Sequence, residues 1–259
     1  MSSSPPREPR ALRHQKRAAF LLPSAFTIGN IFLGFFAVIL ALRGRFLWAA
    51  GCILMAGVID NLDGRIARLT GTESDFGREF DSLADVITFG ATPALVAHLW
   101  GLQVWSRLGW LVPLYFVVCC AIRLARFNVQ TTRTDKRFFV GLPCPAAAGG
   151  IACVVLVAPH VEERRWMLIG MAVALGILGS LMVSTFRYWS FKSLDFRRPH
   201  SYRVALPLAA IVLLLAFYPE AFLPVMAGVY VISGPLLWLV NRAGFGRPSA
   251  PPPTEASTA

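Results

Sequence analysis

Apolar runs about as long as a bilayer is thick recur along this chain, and its most acidic stretch is wedged between two of them. The runs cover about Ser24 to Leu42, Phe46 to Asp63, Asp81 to Trp100, Leu108 to Phe127, Gly141 to His160, Trp166 to Phe186, Val204 to Tyr218 and Phe222 to Val240. A segment of about 20 mostly apolar residues crosses the hydrocarbon as a helix. The expectation is therefore an all-α, polytopic integral membrane bundle of about eight transmembrane helices. A chain that is 56% hydrophobic and only 15% charged is not an ordinary soluble domain.

The charge distribution sets orientation and excludes one class of partner. A net charge of +11 would suggest nucleic acid in a soluble protein. Here the cations sit in short loops, no aromatic and basic residues interleave, and no nucleic-acid motif occurs, so they serve topology and anionic lipid head groups instead. Of the 25 Lys and Arg, all but Arg43, Arg45, Arg107, Arg164 and Arg165 fall in alternate segments: 1–22, 64–80, 123–141, 187–203 and 242–259. The positive-inside rule then puts both termini and the acidic stretch in the cytoplasm. Residues 1–22 form a basic N-terminal segment, either a surface amphipathic helix over Arg10 to Leu22 or a plain polybasic tail. Residues 242–259, rich in Pro, Ser and Ala, are expected to be disordered. The five cysteines, Cys52, Cys119, Cys120, Cys144 and Cys153, have no metal-binding spacing and look like small core residues.

Between Asp60 and Asp85 lie seven of the fourteen acidic residues. With both flanks helical, Asp60 and Asp63 share a face with Gly64 and Ala67, and Gly77, Asp81 and Asp85, spaced by four, line one face of the next helix. Four carboxylates then converge, and they repel unless hard divalent cations with oxygen ligands sit between them. Small residues one turn from the acids leave room for a ligand, and Arg68 adds a fixed cation. Divalent metal, arginine and open backbone together describe a phosphate or diphosphate site. In the first run, Thr27 and Asn30 are polar and one turn apart, so they are expected to face that site.

The stretch reads D-x2-D-G-x2-A-R-x8-G-x3-D-x3-D, through Asp60, Asp63, Gly64, Ala67, Arg68, Gly77, Asp81 and Asp85. This resembles the signature of the CDP-alcohol phosphatidyltransferases. Four further blocks, FDSLADVITFGATPA (80–94), RLARFN (123–128), FFVGLPCPAAAG (138–149) and LMVSTFRYWSFK (181–192), look like the multi-spanning bacterial phosphatidylserine synthases. The resemblance implies a catalytic core of six helices over 23–192, two additional helices over 193–241, a homodimer and a bacterial inner-membrane location. It implies that CDP-diacylglycerol is the phosphatidyl donor and that two Mg²⁺ or Mn²⁺ ions are held by Asp60, Asp63, Asp81 and Asp85. It makes Asp85 the general base as well, and gives Gly64, Arg68 and Ser74, with space from Ala67 and Gly77, to the cytidine diphosphate.

The acceptor that the resemblance implies is L-serine. Its carboxylate calls for an arginine in a partly dry pocket, for which Arg123, Arg126, Lys136 and Arg187 are candidates, with Asn128 for the amine. Two other readings stand beside this one: the same chemistry on glycerol 3-phosphate or an inositol phosphate, and a divalent-cation transporter with the aspartates as its translocation site. Clustering of the acids at one membrane face weighs against the transporter.

Overall fold

The structure, a computed structural model, describes residues 10–70, 75–130, 138–159, 165–189, 213–214 and 217–242. Two long apolar helices come first, α1 (Arg10–Leu42) and α2 (Phe46–Thr70), joined by a tight reversal. Gly44, with φ of 71°, closes α1: its amide donates to the Ala41 carbonyl at 2.9 Å and the Arg45 amide to Leu40 at 2.9 Å. That double bond around a left-handed glycine is the Schellman ending, which needs no side chain at that position. The two helices meet through Ala37, Leu40 and Ala41 on one side and Ala49, Ala50, Ile53 and Ala56 on the other, all buried. Small side chains let membrane helices approach closely, where dispersion rather than water exclusion holds them.

The third apolar segment is longer than the sequence suggests and is not one regular helix. It runs as α3 (Asp75–Asp85), a π-helical turn (Val86–Ala91) and α4 (Thr92–Trp100). The Thr92 amide reaches back five residues to the Ile87 carbonyl, and the Thr92 hydroxyl bonds the same oxygen at 3.0 Å. Gly34 of α1 lies against this turn, where a Cβ would come within 2.9 Å of Thr92 Oγ1 and 3.2 Å of Thr88 Cα. On the opposite side Gly90 meets Cys120 of α5 (Leu108–Gln130). The extra residue of the turn thus sits in a slot formed by one glycine and lined by a neighbouring helix.

Three more helices complete the bundle: α6 (Cys144–Val157), α7 (Arg165–Val183) and α8 (Pro219–Arg242). α5 packs on α7, and α6 packs between α2 and α8. Two three-residue strands depart from a purely helical chain. β1 (Phe138–Val140) pairs antiparallel with β2 (Arg187–Trp189), Val140 facing Arg187. Just beyond β1, Gly141 at φ 83° donates to the Phe186 carbonyl at 2.8 Å, and a Cβ there would overlap the Met182 carbonyl. This clip joins the start of α6 to the end of α7.

Among the described residues, six helical segments are long and apolar enough to cross a membrane, Ala25–Leu42, Phe46–Gly64, Phe76–Trp100, Leu108–Val129, Arg165–Val183 and Ala221–Leu239, with α6 apolar but shorter. The protein is thus a multi-pass helical membrane protein. The expected span over 204–218 lies largely outside the described residues, so these segments leave the expected count of about eight untested. Large apolar side chains such as Phe32, Phe35, Trp48 and Val173 point outward, as they do where lipid is the solvent.

Candidate active site

α2 carries Asp60 and Asp63 near its end, and α3 carries Asp81 and Asp85 on the face turned towards them. One carboxylate oxygen from each of Asp60, Asp81 and Asp85 lies within 4.8 Å of the other two. Asp63 stands beside this trio and is held by α1: Thr27 Oγ1 donates to Asp63 Oδ2 at 3.0 Å, with both residues buried. The Asp63 charge acts on Asp81, and those of Asp60 and Asp81 act on Asp85.

Two oxygens of the cluster, Asp63 Oδ1 and Asp85 Oδ1, are buried without a hydrogen-bond partner. Burying a carboxylate oxygen unpaired is costly, and the cost multiplies when like charges surround it. A hard divalent cation with an oxygen shell removes both penalties, so the donor set fits such an ion. The structure therefore brings three of the four expected ligands into one group and sets the fourth against Thr27.

α1 does more than hold Asp63. One turn on from Thr27, buried Asn30 offers its backbone carbonyl to the Thr88 hydroxyl of the π-helical turn at 3.2 Å, while its own Oδ1 is buried and unpartnered. The turn that directly follows Asp85 is thereby pinned to the helix that holds Asp63.

Asp85 also feels Arg123 of α5, whose charge opposes that of the acids. Its Nη1 donates to Cys144 Sγ at 3.5 Å, and its Nε is buried without a partner. Cys120 donates to the same sulfur at 3.0 Å, so a pair of free thiols backs the guanidinium. The other expected acceptor residues separate. Arg126 donates to the Val183 carbonyl at 3.1 Å and ties α5 to the end of α7. Asn128 donates to Glu79 Oε2 and to Ser82 Oγ, each at 3.1 Å, joining α5 to α3. Arg187 lies in β2 and Arg68 and Ala67 in α2, but their side chains, like Ser74 and Lys136, lie outside the described residues. Gly64 and Gly77 sit half-buried on the helices that carry the acids.

Sequence reasoning passed over Thr88, Thr92, Cys144 and Ser82. The two threonines had a readable signal, since they lie four apart in an otherwise apolar run, the spacing of one helix face. Cys144 had none, because its role comes from α5 meeting α6.

Three carboxylates meeting in one group, with a fourth held beside them by α1, make a candidate cation site of a multi-pass membrane protein, and comparison with known sequences gives the chain a family. The profile of the CDP-alcohol phosphatidyltransferase family matches residues 20–178, and the chain belongs to that family. The protein named CDP-diacylglycerol--serine O-phosphatidyltransferase in Helicobacter pylori (strain ATCC 700392 / 26695) is 38% identical over 228 residues, 85% of this chain and 92% of the relative. Proteins of the same name are 32% identical over 171 residues in Bacillus subtilis (strain 168), 66% of this chain and 91% of the relative, and 40% identical over 151 residues in Mycobacterium tuberculosis (strain ATCC 25618 / H37Rv), 56% and 52%.

Proposed function

We propose that this protein transfers the phosphatidyl group of CDP-diacylglycerol to the hydroxyl of L-serine, giving phosphatidylserine and CMP. The observation that carries the reading is the meeting of Asp60, Asp81 and Asp85 beside a buried, unpartnered Asp85 oxygen and a counter-charged Arg123. The shared name of the relatives supports serine as the acceptor.

Asp60, Asp63, Asp81 and Asp85 hold two Mg²⁺ or Mn²⁺ ions. When bound, the ions supply charge neutralisation along the diphosphate and on the departing CMP. Gly64, Arg68 and Ser74 hold the cytidine diphosphate, Ala67 and Gly77 leave room for it, and Thr27 and Asn30 close the site from α1. Asp85 takes the proton of the serine hydroxyl as its oxygen bonds to the phosphatidyl phosphorus and the phosphorus–oxygen bond to CMP breaks. Arg123 receives the serine carboxylate; Arg126, Asn128, Lys136 and Arg187 act as its supports or as further contacts. The core covers 23–192, the protein is a homodimer in the bacterial inner membrane, and the acids face the cytoplasm, where a lipid donor arrives from the side and serine from below.

CMP release from CDP-diacylglycerol by purified protein, with and without L-serine, tests the reading. Release is expected to need serine and Mg²⁺ or Mn²⁺, and to stop with EDTA. Turnover in metal-free buffer would remove the metal site, and release that responds only to glycerol 3-phosphate or an inositol phosphate would replace the acceptor.

A further inference from the structure

Two of the five cysteines meet, although no step of phosphatidyl transfer uses a thiol. Cys120 lies within α5 and Cys144 opens α6; both are fully buried, and their sulfurs stand 3.0 Å apart with no bond between them. Closing a disulfide asks these sulfurs to approach by about 1 Å. Cys119, the next residue, turns instead towards Gly179 of α7. The Cys120–Cys144 pair touches two parts of the site. Arg123, one turn on from Cys120 and assigned above to the serine carboxylate, donates through Nη1 to Cys144 Sγ at 3.5 Å. Gly90 belongs to the π-helical turn that follows Asp85, and a Cβ there would come within 3.3 Å of both Cβ and Sγ of Cys120. In an interior packed this closely, a shift of either sulfur is passed to the guanidinium and to the turn behind Asp85.

We propose that Cys120 and Cys144 are a modification site, a dithiol that hydrogen peroxide oxidises to a disulfide, and that the bond lowers phosphatidyl transfer by displacing Arg123 and the turn behind Asp85. The effect on activity rests on the transfer reading above; the bond itself does not. One sulfur attacks a peroxide oxygen, the oxygen–oxygen bond breaks, and the departing hydroxide takes the thiol proton and leaves as water. The second sulfur then attacks the sulfenic acid so formed, whose hydroxyl leaves with the second thiol proton as another water. Two thiols thus lose two electrons and two protons, and one peroxide becomes two waters. The Arg123 guanidinium is placed to balance the negative charge that the Cys144 sulfur carries as a nucleophile. Burial of both sulfurs favours a reagent near the size of water over a bulky disulfide, and the buried, unpartnered Nε of Arg123 offers such a molecule a donor.

The test treats detergent-purified full-length protein with hydrogen peroxide, blocks the remaining thiols with N-ethylmaleimide, and divides the sample. Mass spectrometry of the unreduced digest is expected to find the peptides of Cys120 and Cys144 joined. CMP release is expected to fall at least about fivefold and to return with dithiothreitol, since a misplacement of about 1 Å can cost about a hundredfold in rate. Cys120→Ala and Cys144→Ala are each compared with their own untreated sample, so that a variant less active from the start still informs. Both are expected to lose less than about twofold on treatment, whereas Cys119→Ala is expected to respond as wild type does. Absence of the joined peptides after peroxide overturns the modification site. Joined peptides with undiminished CMP release, or an equal loss in Cys120→Ala and Cys144→Ala, overturn its effect on activity. Joined peptides in a wild-type protein that releases no CMP under any condition give a different result, which overturns the transfer reading and upholds the dithiol.

Discussion

Asp85 meets two acids, Asp60 and Asp81, and feels the opposite charge of Arg123, and this separates it from its neighbours. In the proposed mechanism Asp60, Asp63 and Asp81 serve as oxygen donors alone, whereas Asp85 also takes the proton of the acceptor hydroxyl. Asp85→Asn keeps one oxygen for a cation but cannot take a proton, so kcat is expected to fall by about 10² to 10⁴ with donor binding largely kept. Asp60→Asn and Asp81→Asn are expected to weaken metal affinity instead, with part of the activity returning at high Mg²⁺ or Mn²⁺. Metal titrations of the three variants separate the roles, and identical curves for all three would remove the base assignment. That Asp81 and Asp85 share a helix face was legible because a spacing of four is local, and the signature shared with the family pointed to their meeting with Asp60. The pairing of Asp63 with Thr27, and of Asn128 with Ser82 and Glu79, was not: each joins residues far apart in sequence, and no periodicity encodes which helices meet.

At the scale of elements, the π-helical turn is what hydropathy could not reveal. One inserted residue leaves an apolar run apolar, yet it changes the phase of everything after it, so Asp81 and Asp85 face the acids of α2 while Thr88 and Thr92 face α1. The turn fits only because Gly34 has no side chain. Gly34→Ala would press a methyl group on Thr92 Oγ1 and the Thr88 backbone, and is expected to cost about 1–3 kcal/mol of stability and to lower activity by displacing Asp85. Thermal unfolding in detergent and CMP release read the two effects; a variant with unaltered melting and turnover would mean that α1 and the turn can move apart freely. The strand clip was equally hidden, since three-residue strands fall below any recognisable alternation, although Gly141 at the head of α6 was visible as a glycine.

For the whole molecule, the apolar runs marked out most of the membrane-length helices in advance, because they follow from the solvent and not from which helix touches which, and the loop charges predict how those helices are oriented. Cysteines introduced singly at Arg43 and at Thr72, in a background without the native cysteines, are expected to label from opposite sides of the membrane. Arg43 is exposed and suits the probe better than Gly44, whose left-handed backbone resists a side chain. Labelling from one side only would overturn the orientation. The acids and their counter-charge also differ in when they are made. Thr27, Asp60, Asp63, Asp81 and Asp85 all precede Arg123 in the chain, so during synthesis the carboxylates enter the membrane before the guanidinium that opposes them exists. Until then their repulsion is offset by arginines made earlier, such as Arg68, and by cations from the cytosol. Chains truncated near Gly101 and released from the ribosome into membranes are therefore expected to hold their third span in the bilayer better with divalent cation than with chelator, whereas chains truncated beyond Val157 are expected to be nearly indifferent; equal insertion of the shorter chains under both conditions would mean that the apolar flanks alone carry the acids in.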